Sequence, residues 1–133
     1  MPMIDHLSTY ATDFIATRRF YEIAFEPLGY ALQFELTFDD DPDLPGRRAC
    51  AFGPDGKAAY WIIESTEIYT PRHTAFVAKN RPAVDAFYKA GLSAGGQDNG
   101  APGVREIYHP NYYGGFLLDP DGNNVEAVCH QAS

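Results

Sequence analysis

The chain repeats itself. A shift of 67 residues lays His6 on His73, Ala16 on Ala83, Phe20 on Phe87, Tyr21 on Tyr88 and Gly29 on Gly96. A shift of 66 lays Pro54-Asp55-Gly56 on Pro120-Asp121-Gly122, the difference that one deleted loop residue leaves. A repeat constrains the fold more than a motif does, because each copy must build the same supersecondary unit. A unit of about 65 residues buries too little surface to be secure alone. Two copies around one core are the economical solution.

Each copy reads as βαβββ. Residues 3–10 alternate as a strand. Thr12 or Asp13 can cap a helix whose apolar stripe includes Phe14, Tyr21 and Phe25, closed by Pro27 and Gly29. Residues 31–38 alternate strictly, with Leu32, Phe34, Leu36 and Phe38 on one face. Strands are expected at 47–53 and 59–64 around the turn Gly53-Pro54-Asp55-Gly56. The second copy predicts a strand over 72–78 and a helix capped by Asn80, with Pro82 in its first turn and its end at Gly91. A long loop over 95–103 follows, then strands at 104–109, 113–118 and 124–129. The expectation is one α+β domain over 1–133, with module 1 at about 3–67 and module 2 at about 71–130.

Eighteen acidic against ten basic residues give a net charge of -8. Nucleic acid and anionic membrane are repelled at long range. No apolar run approaches the roughly 20 residues that span a bilayer. The N-terminus lacks the basic start and apolar stretch of an export signal. Cys50 and Cys129 are too few for a disulfide scaffold. The expectation is a cytoplasmic protein with reduced thiols. The run from Asp39 to Asp43 reads as a solvated loop. The acidity favours a neutral, cationic or metal-anchored small ligand.

Alternation along strands puts residues two apart on one face. His6 and His73 are equivalent under the repeat, and Glu126 interrupts the otherwise apolar strand Val125–Cys129. A buried carboxylate needs a partner or a metal. Two histidines and a carboxylate on three strands suit a divalent ion with open positions, whether Zn, Ni, Mn or Fe. The shift of 66 makes Tyr60 the counterpart of Glu126. Arg48 and Arg72 could hold an anionic group or pair with acidic neighbours. Tyr108, Tyr112 and Tyr113 could pack or position substrate, and Phe116 joins Arg48, Tyr60 and Tyr112 among candidate substrate contacts. His109 reads as a solvated turn residue, with a gating or proton-transfer role as the alternative, and His130 lies near the C-terminus. Both cysteines read as apolar filler. No Gly-x-Ser-x-Gly, Walker-type or dinucleotide-binding pattern is present.

These residues resemble the vicinal oxygen chelate superfamily of glyoxalase I, bleomycin-resistance proteins and extradiol dioxygenases. The resemblance runs from about residue 3 to 130. Its carriers are Ile4-Asp5-His6, Phe20-Tyr21, Glu26–Tyr30, His73–Phe76, Ala83–Tyr88 and, most specifically, Tyr112–Glu126 with its Asp-Pro-Asp-Gly turn. It implies two βαβββ modules with curved mixed sheets around a central cleft, often within or across a homodimer. It also implies a divalent metal held from the first, fourth, fifth and eighth strands. His6, His73 and Glu126 match three of those positions. The fourth falls near Tyr60 or Ile62, where no His, Glu or Gln stands, and Glu64 is the nearest carboxylate. The implied function is a metal-dependent enzyme on a small oxygen-chelating substrate, a glyoxalase-like lyase or isomerase or a dioxygenase. The alternative is an acidic, non-enzymatic binder of a small cationic ligand, of the bleomycin-resistance type.

Overall fold

The computed structural model describes residues 4–132. Met3, where the sequence pattern starts the first strand, and Ser133 lie outside the described residues. The first module contains β1 (Leu7–Ala11), α1 (Phe14–Phe25), a 3-10 turn (Glu26–Leu28), β2 (Ala31–Phe38), β3 (Arg47–Gly53) and β4 (Tyr60–Glu64). The second contains β5 (His73–Val77), α2 (Arg81–Ser93), β6 (Gln97–Asp98), β7 (Gly103–Val104), β8 (Tyr113–Leu118) and β9 (Asn124–Cys129). The sheets run β1-β4-β3-β2 and β5-β9-β8-β6, with β7 also on β8. In each, the first strand pairs parallel with the last and the other pairs are antiparallel, so both sheets are mixed.

Asp13 and Asn80 cap the two helices, each accepting from the amide three residues on. One face of each sheet looks toward the helices. Phe20, Tyr21 and Phe25 of α1 meet Phe52, Tyr60 and Ile62 of the first sheet in a continuous core. Val84 and Phe87 of α2 and Leu117 and Val125 of the second sheet complete it. Each helix packs on its own module's sheet and the two helices pack on each other, so one core runs through both modules.

The Asp119–Asn123 turn clasps the modules together. Tyr21 Oη donates to Asp119 Oδ2 at 2.6 Å. Thr12 donates its amide and its hydroxyl to the Asp121 carboxylate, the hydroxyl at 2.8 Å. Asn123 Nδ2 donates to Thr9 Oγ1 at 3.3 Å. The Asp-Pro-Asp-Gly signature is therefore a joint between modules.

Three sequence expectations need correcting. A bulge between Leu32 and Phe34 breaks the strict alternation of β2. Leu32 stays opposite Phe52 on the core side, while Phe34 turns to the other face opposite Ala51. The strand expected at 104–109 shrinks to Gly103–Val104. Residues 105–112 instead form a closed loop in which the Arg105 amide donates to Tyr112 O at 2.7 Å and the Tyr112 amide to His109 O at 3.1 Å. Gly91 does not end α2, which continues to Ser93. A Cβ there would sit 2.2 Å from Leu117 Cδ1, so the glycine lets helix and sheet approach.

Candidate functional site

The faces turned away from the helices carry the candidate chemistry. On the second sheet, β5 and β9 pair Ala75 with Glu126, and β8 and β9 pair Phe116 with Glu126. His73, Ala75, Val77, Glu126 and Phe116 therefore share the outer face, while Phe76, Val125 and Leu117 enter the core. Glu126 is only 2% exposed although it lies on this face. Neighbours cover it. His73 Nε2 lies 3.1 Å from Glu126 Oε1. Tyr112 Oη donates a hydrogen bond to Glu126 Oε2. Phe116 stacks on the His73 ring with centroids 6.3 Å apart. Burial first, then the bond to Glu126, pushes the Tyr112 phenol far above its ordinary range, so it is a proton donor at any working pH.

His6 lies elsewhere. Its Nδ1 is 2.8 Å from Asp5 Oδ2, and Lys57 Nζ holds Asp5 Oδ1 at 2.6 Å. The Lys57 bond, then that of His6, holds the Asp5 carboxyl below its usual range. Asp5 thereby fixes the imidazole and leaves Nε2 free, the arrangement that orients a ligand histidine. His6 borders a depression of about 400 Å³ that also includes Ala75, Phe76 and Val77. His73 and Glu126 do not line that depression. One chain thus brings His73 and Glu126 together and leaves His6 apart. Among the described residues, no three His, Cys, Asp or Glu side chains converge in a set that could hold a metal.

The other candidates separate by face. Tyr60 is the counterpart of Leu7 and points into the core, where its hydroxyl meets that of Tyr21 at 3.1 Å. Burial pushes its phenol up to about 12. The register makes Trp61 the counterpart of Glu126, because Ser8 pairs with Trp61 as Ala75 pairs with Glu126. A one-residue slip exchanges the faces, so the match of Glu126 to Tyr60 is corrected to Trp61. Arg48 lies on the helix side of β3, over the Phe14 ring at 5.0 Å. Its Nε and Nη2 grip Glu64 at 3.1 and 2.6 Å. Arg48 and Glu64 are therefore spent on each other, on the face opposite His73 and Glu126. Arg72 reaches Ser8 O at 3.1 Å and covers the Tyr10 ring. Tyr113 donates to Asp85 at 2.6 Å, away from Glu126. Cys50 and Cys129 are buried free thiols, and burial pushes that of Cys50 up to about 12.

Two contributors escape a reading by residue type. Gly114 clears space for Glu126, since a Cβ there would sit 3.0 Å from Oε2 and 3.2 Å from Tyr112 Cε1. The adjacent glycines at 114 and 115 in an otherwise bulky strand were its only trace. His109 and His130 meet through Nε2 and Nδ1 at 2.8 Å, and both rings meet the Tyr112 ring edge-on. They are 21 residues apart, so nothing local in the sequence joins them.

The donor set fits a divalent ion in kind. The 3.1 Å separation of an imidazole nitrogen and a carboxylate oxygen is the spacing of two groups able to share one ion. A third donor of matching type stands at His6, and the fourth position holds Trp61.

The family model for the Glyoxalase/Bleomycin resistance protein/Dioxygenase superfamily matches residues 3–127. The chain belongs to that superfamily. No curated protein matches. Among solved structures, a glyoxalase/bleomycin resistance protein from Albidiferax ferrireducens T118 is 21% identical, with a TM-score of 0.73 over 96% of this chain and 98% of that one. A family enzyme from Burkholderia phytofirmans PsJN is 20% identical, with a TM-score of 0.64 over 96% of this chain and 98% of that one. A glyoxalase I mutant (V278E) from Zea mays is 21% identical, with a TM-score of 0.67 over 94% of this chain but 45% of that one. These likenesses establish the fold. Among the described residues no helix is long and apolar enough to cross a membrane.

Proposed function

We propose that the protein is a metal-dependent enzyme acting on a small oxygen-chelating substrate, by glyoxalase-like lyase or isomerase chemistry or as a dioxygenase. The observation that carries this reading is Glu126, a carboxylate 2% exposed whose Oε1 faces His73 Nε2 at 3.1 Å. Holding a carboxylate in so dry a place is costly unless something cationic binds there. His73 and Glu126 would hold a divalent ion (Zn, Ni, Mn or Fe), which supplies a positive charge that polarises neighbouring substrate oxygens. Phe116 keeps the His73 ring in plane and walls one side. Ala75 and Val77 line the floor and admit apolar substrate.

His6 would join from a second copy. The outer faces of both sheets are uncovered and apolar, with Phe34, Phe38 and Val77 at 52, 43 and 65% exposure. A homodimer that seats the first module of one copy on the second module of the other covers them and delivers His6 to the His73–Glu126 pair. The buried free thiols Cys50 and Cys129 are consistent with a cytoplasmic home.

One observation favours a second reading. Trp61 stands where a fourth ligand would be, with Phe34 5.9 Å away, and the chain carries a charge of -8. An aromatic platform in an acidic protein suits capture of a small cation without turnover, as in a bleomycin-resistance protein.

The test is metal analysis of untagged protein purified without chelator, beside His73→Ala and Glu126→Gln. The enzyme reading expects a stoichiometric divalent ion in the wild type and its loss in both variants. Protein that neither carries nor takes up a divalent ion refutes it and favours the binder. Oxygen uptake with a turned-over substrate separates the dioxygenase branch from the lyase or isomerase branch.

A further inference from the structure

We infer that Tyr112 is a positioning residue that fixes which oxygen of Glu126 is offered to a bound ion, and that the His109–His130 pair holds Tyr112 in place. The inference rests on the reading of His73 and Glu126 as ligands. It starts from a division of labour on one carboxylate. Tyr112 Oη occupies Oε2, and His73 Nε2 faces Oε1 at 3.1 Å. With Oε2 committed to the phenol, Oε1 is the oxygen left to act beside the imidazole.

The phenol's placement is built, not incidental. Gly114 provides the clearance that lets Tyr112 and Glu126 meet, since a Cβ there would press on both. The Tyr112 ring is the last residue of the 105–112 loop, whose ends are tied by the Arg105–Tyr112 backbone bond of 2.7 Å. Three rings pack on it. Tyr108 lies 4.7 Å away, and the edges of His109 and His130 lie 5.6 and 5.4 Å away.

The two imidazoles are locked in order. The Asn111 amide donates to His109 Nδ1 at 3.1 Å, so the His109 proton sits on Nε2 and is given to His130 Nδ1 at 2.8 Å. This bond ties the loop that carries Tyr112 to the residue just past β9, the strand that carries Glu126. Loop and strand are thus coupled at both ends of one short path: the phenol bonds the carboxylate, and the histidines bond across behind it. Outer partners of this kind orient ligands, and removing one typically costs roughly 10–100-fold in metal affinity.

The test is cobalt(II) titration of metal-free wild type, Tyr112→Phe and His130→Ala, reading affinity and the visible spectrum of the bound ion. Tyr112→Phe keeps the ring and its packing and removes only the hydroxyl, so a merely structural role leaves both readouts unchanged. The inference expects Tyr112→Phe to weaken cobalt binding at least about tenfold and to change the spectrum, as Oε2 is released. His130→Ala, an exposed site, is expected to shift both readouts in the same direction by less. Circular dichroism and thermal melts confirm that each variant is folded. Cobalt bound with wild-type affinity and spectrum in folded Tyr112→Phe overturns this inference alone. A wild type that takes up no cobalt overturns the reading of the site and this inference with it.

Discussion

Replacing Tyr21 by Phe removes one oxygen from the joint between the modules. Tyr21 is fully buried, and its hydroxyl donates to Asp119 Oδ2 at 2.6 Å while meeting Tyr60 Oη at 3.1 Å. A hydrogen bond to a charged group contributes about 1.5–3 kcal/mol. The loss is not at the upper end, because Asp119 keeps three donors. Asn123 Nδ2 serves Oδ2 at 3.0 Å, and the amides of Asp121 and Asn123 serve Oδ1 at 2.9 Å each. The expected cost is about 2 kcal/mol. For a slope of about 2 kcal/mol per molar, the urea midpoint falls by about 1 M with the slope unchanged. The repeat supplies a control. Tyr88 is the counterpart of Tyr21, and its hydroxyl donates to Asp98 at 2.8 Å in an exposed setting. Tyr88→Phe is expected to cost under about 1 kcal/mol, since water replaces an exposed partner. Equal losses at the two positions refute the argument that the Asp119 turn is a buried clasp.

Gly91→Ala forces a methyl to within 2.2 Å of Leu117 Cδ1, and overpacking of about 1–3 kcal/mol outweighs the roughly 1 kcal/mol of helix propensity gained; a melting temperature above wild type refutes this. Glu64→Gln removes the grip on Arg48. The Arg48 hydrogen bond, foremost, holds the Glu64 carboxyl below its usual 4.5. Its stabilisation is therefore present above that value and lost as pH falls through the lower folded-state value, so melts of variant and wild type should differ at pH 7 and converge once acid has protonated Glu64 in the folded protein. The Cys50 thiol, pushed up to about 12 by burial, should resist a thiol reagent in native protein at pH 8 and react on unfolding; prompt native labelling at Cys50 contradicts the burial argument.

Much of the fold was legible because period and punctuation agree. The strands at 31–38, 47–53, 113–118 and 124–129 fall at the expected residues, and the caps at Asp13 and Asn80 sit where their side chains can reach an open amide. The misplaced strand at 104–109 shows the limit. Its residues include Val104, Ile107 and Tyr108, an apolar series, yet only Val104 stays in a strand, and Ile107 and Tyr108 are 88 and 64% exposed on a closed loop. Composition gives the same signal for a covered strand and for an apolar loop. What decides is whether a partner strand has free backbone groups, and that is a property of the sheet.

The site was legible only as far as the repeat could carry register. The repeat made His6 the equivalent of His73, and the structure sets His73 beside Glu126 at 3.1 Å, while among the described residues no third His, Cys, Asp or Glu joins them. The repeat failed at the fourth position because its shift changes from 67 to 66 somewhere between the helix and the Pro-Asp-Gly turn, and the strand pairing of the fourth position belongs to neither value. Ser8 faces Trp61 as Ala75 faces Glu126, a shift of 65 on the last strands. One residue decides whether the position holds a core tyrosine or an outer indole. The consequence is chemical. A tyrosine there would have left room to argue for a further oxygen ligand, whereas an indole supplies none, so the two modules have diverged into one that offers a carboxylate and one that offers an aromatic wall. Under the proposed two-fold dimer, His6 and Trp61 of one copy would face His73 and Glu126 of the other. Trp61→Glu restores the donor that the register leaves out, and under the enzyme reading it tightens divalent-ion binding, while under the binder reading it abolishes capture of an aromatic-stacking cation.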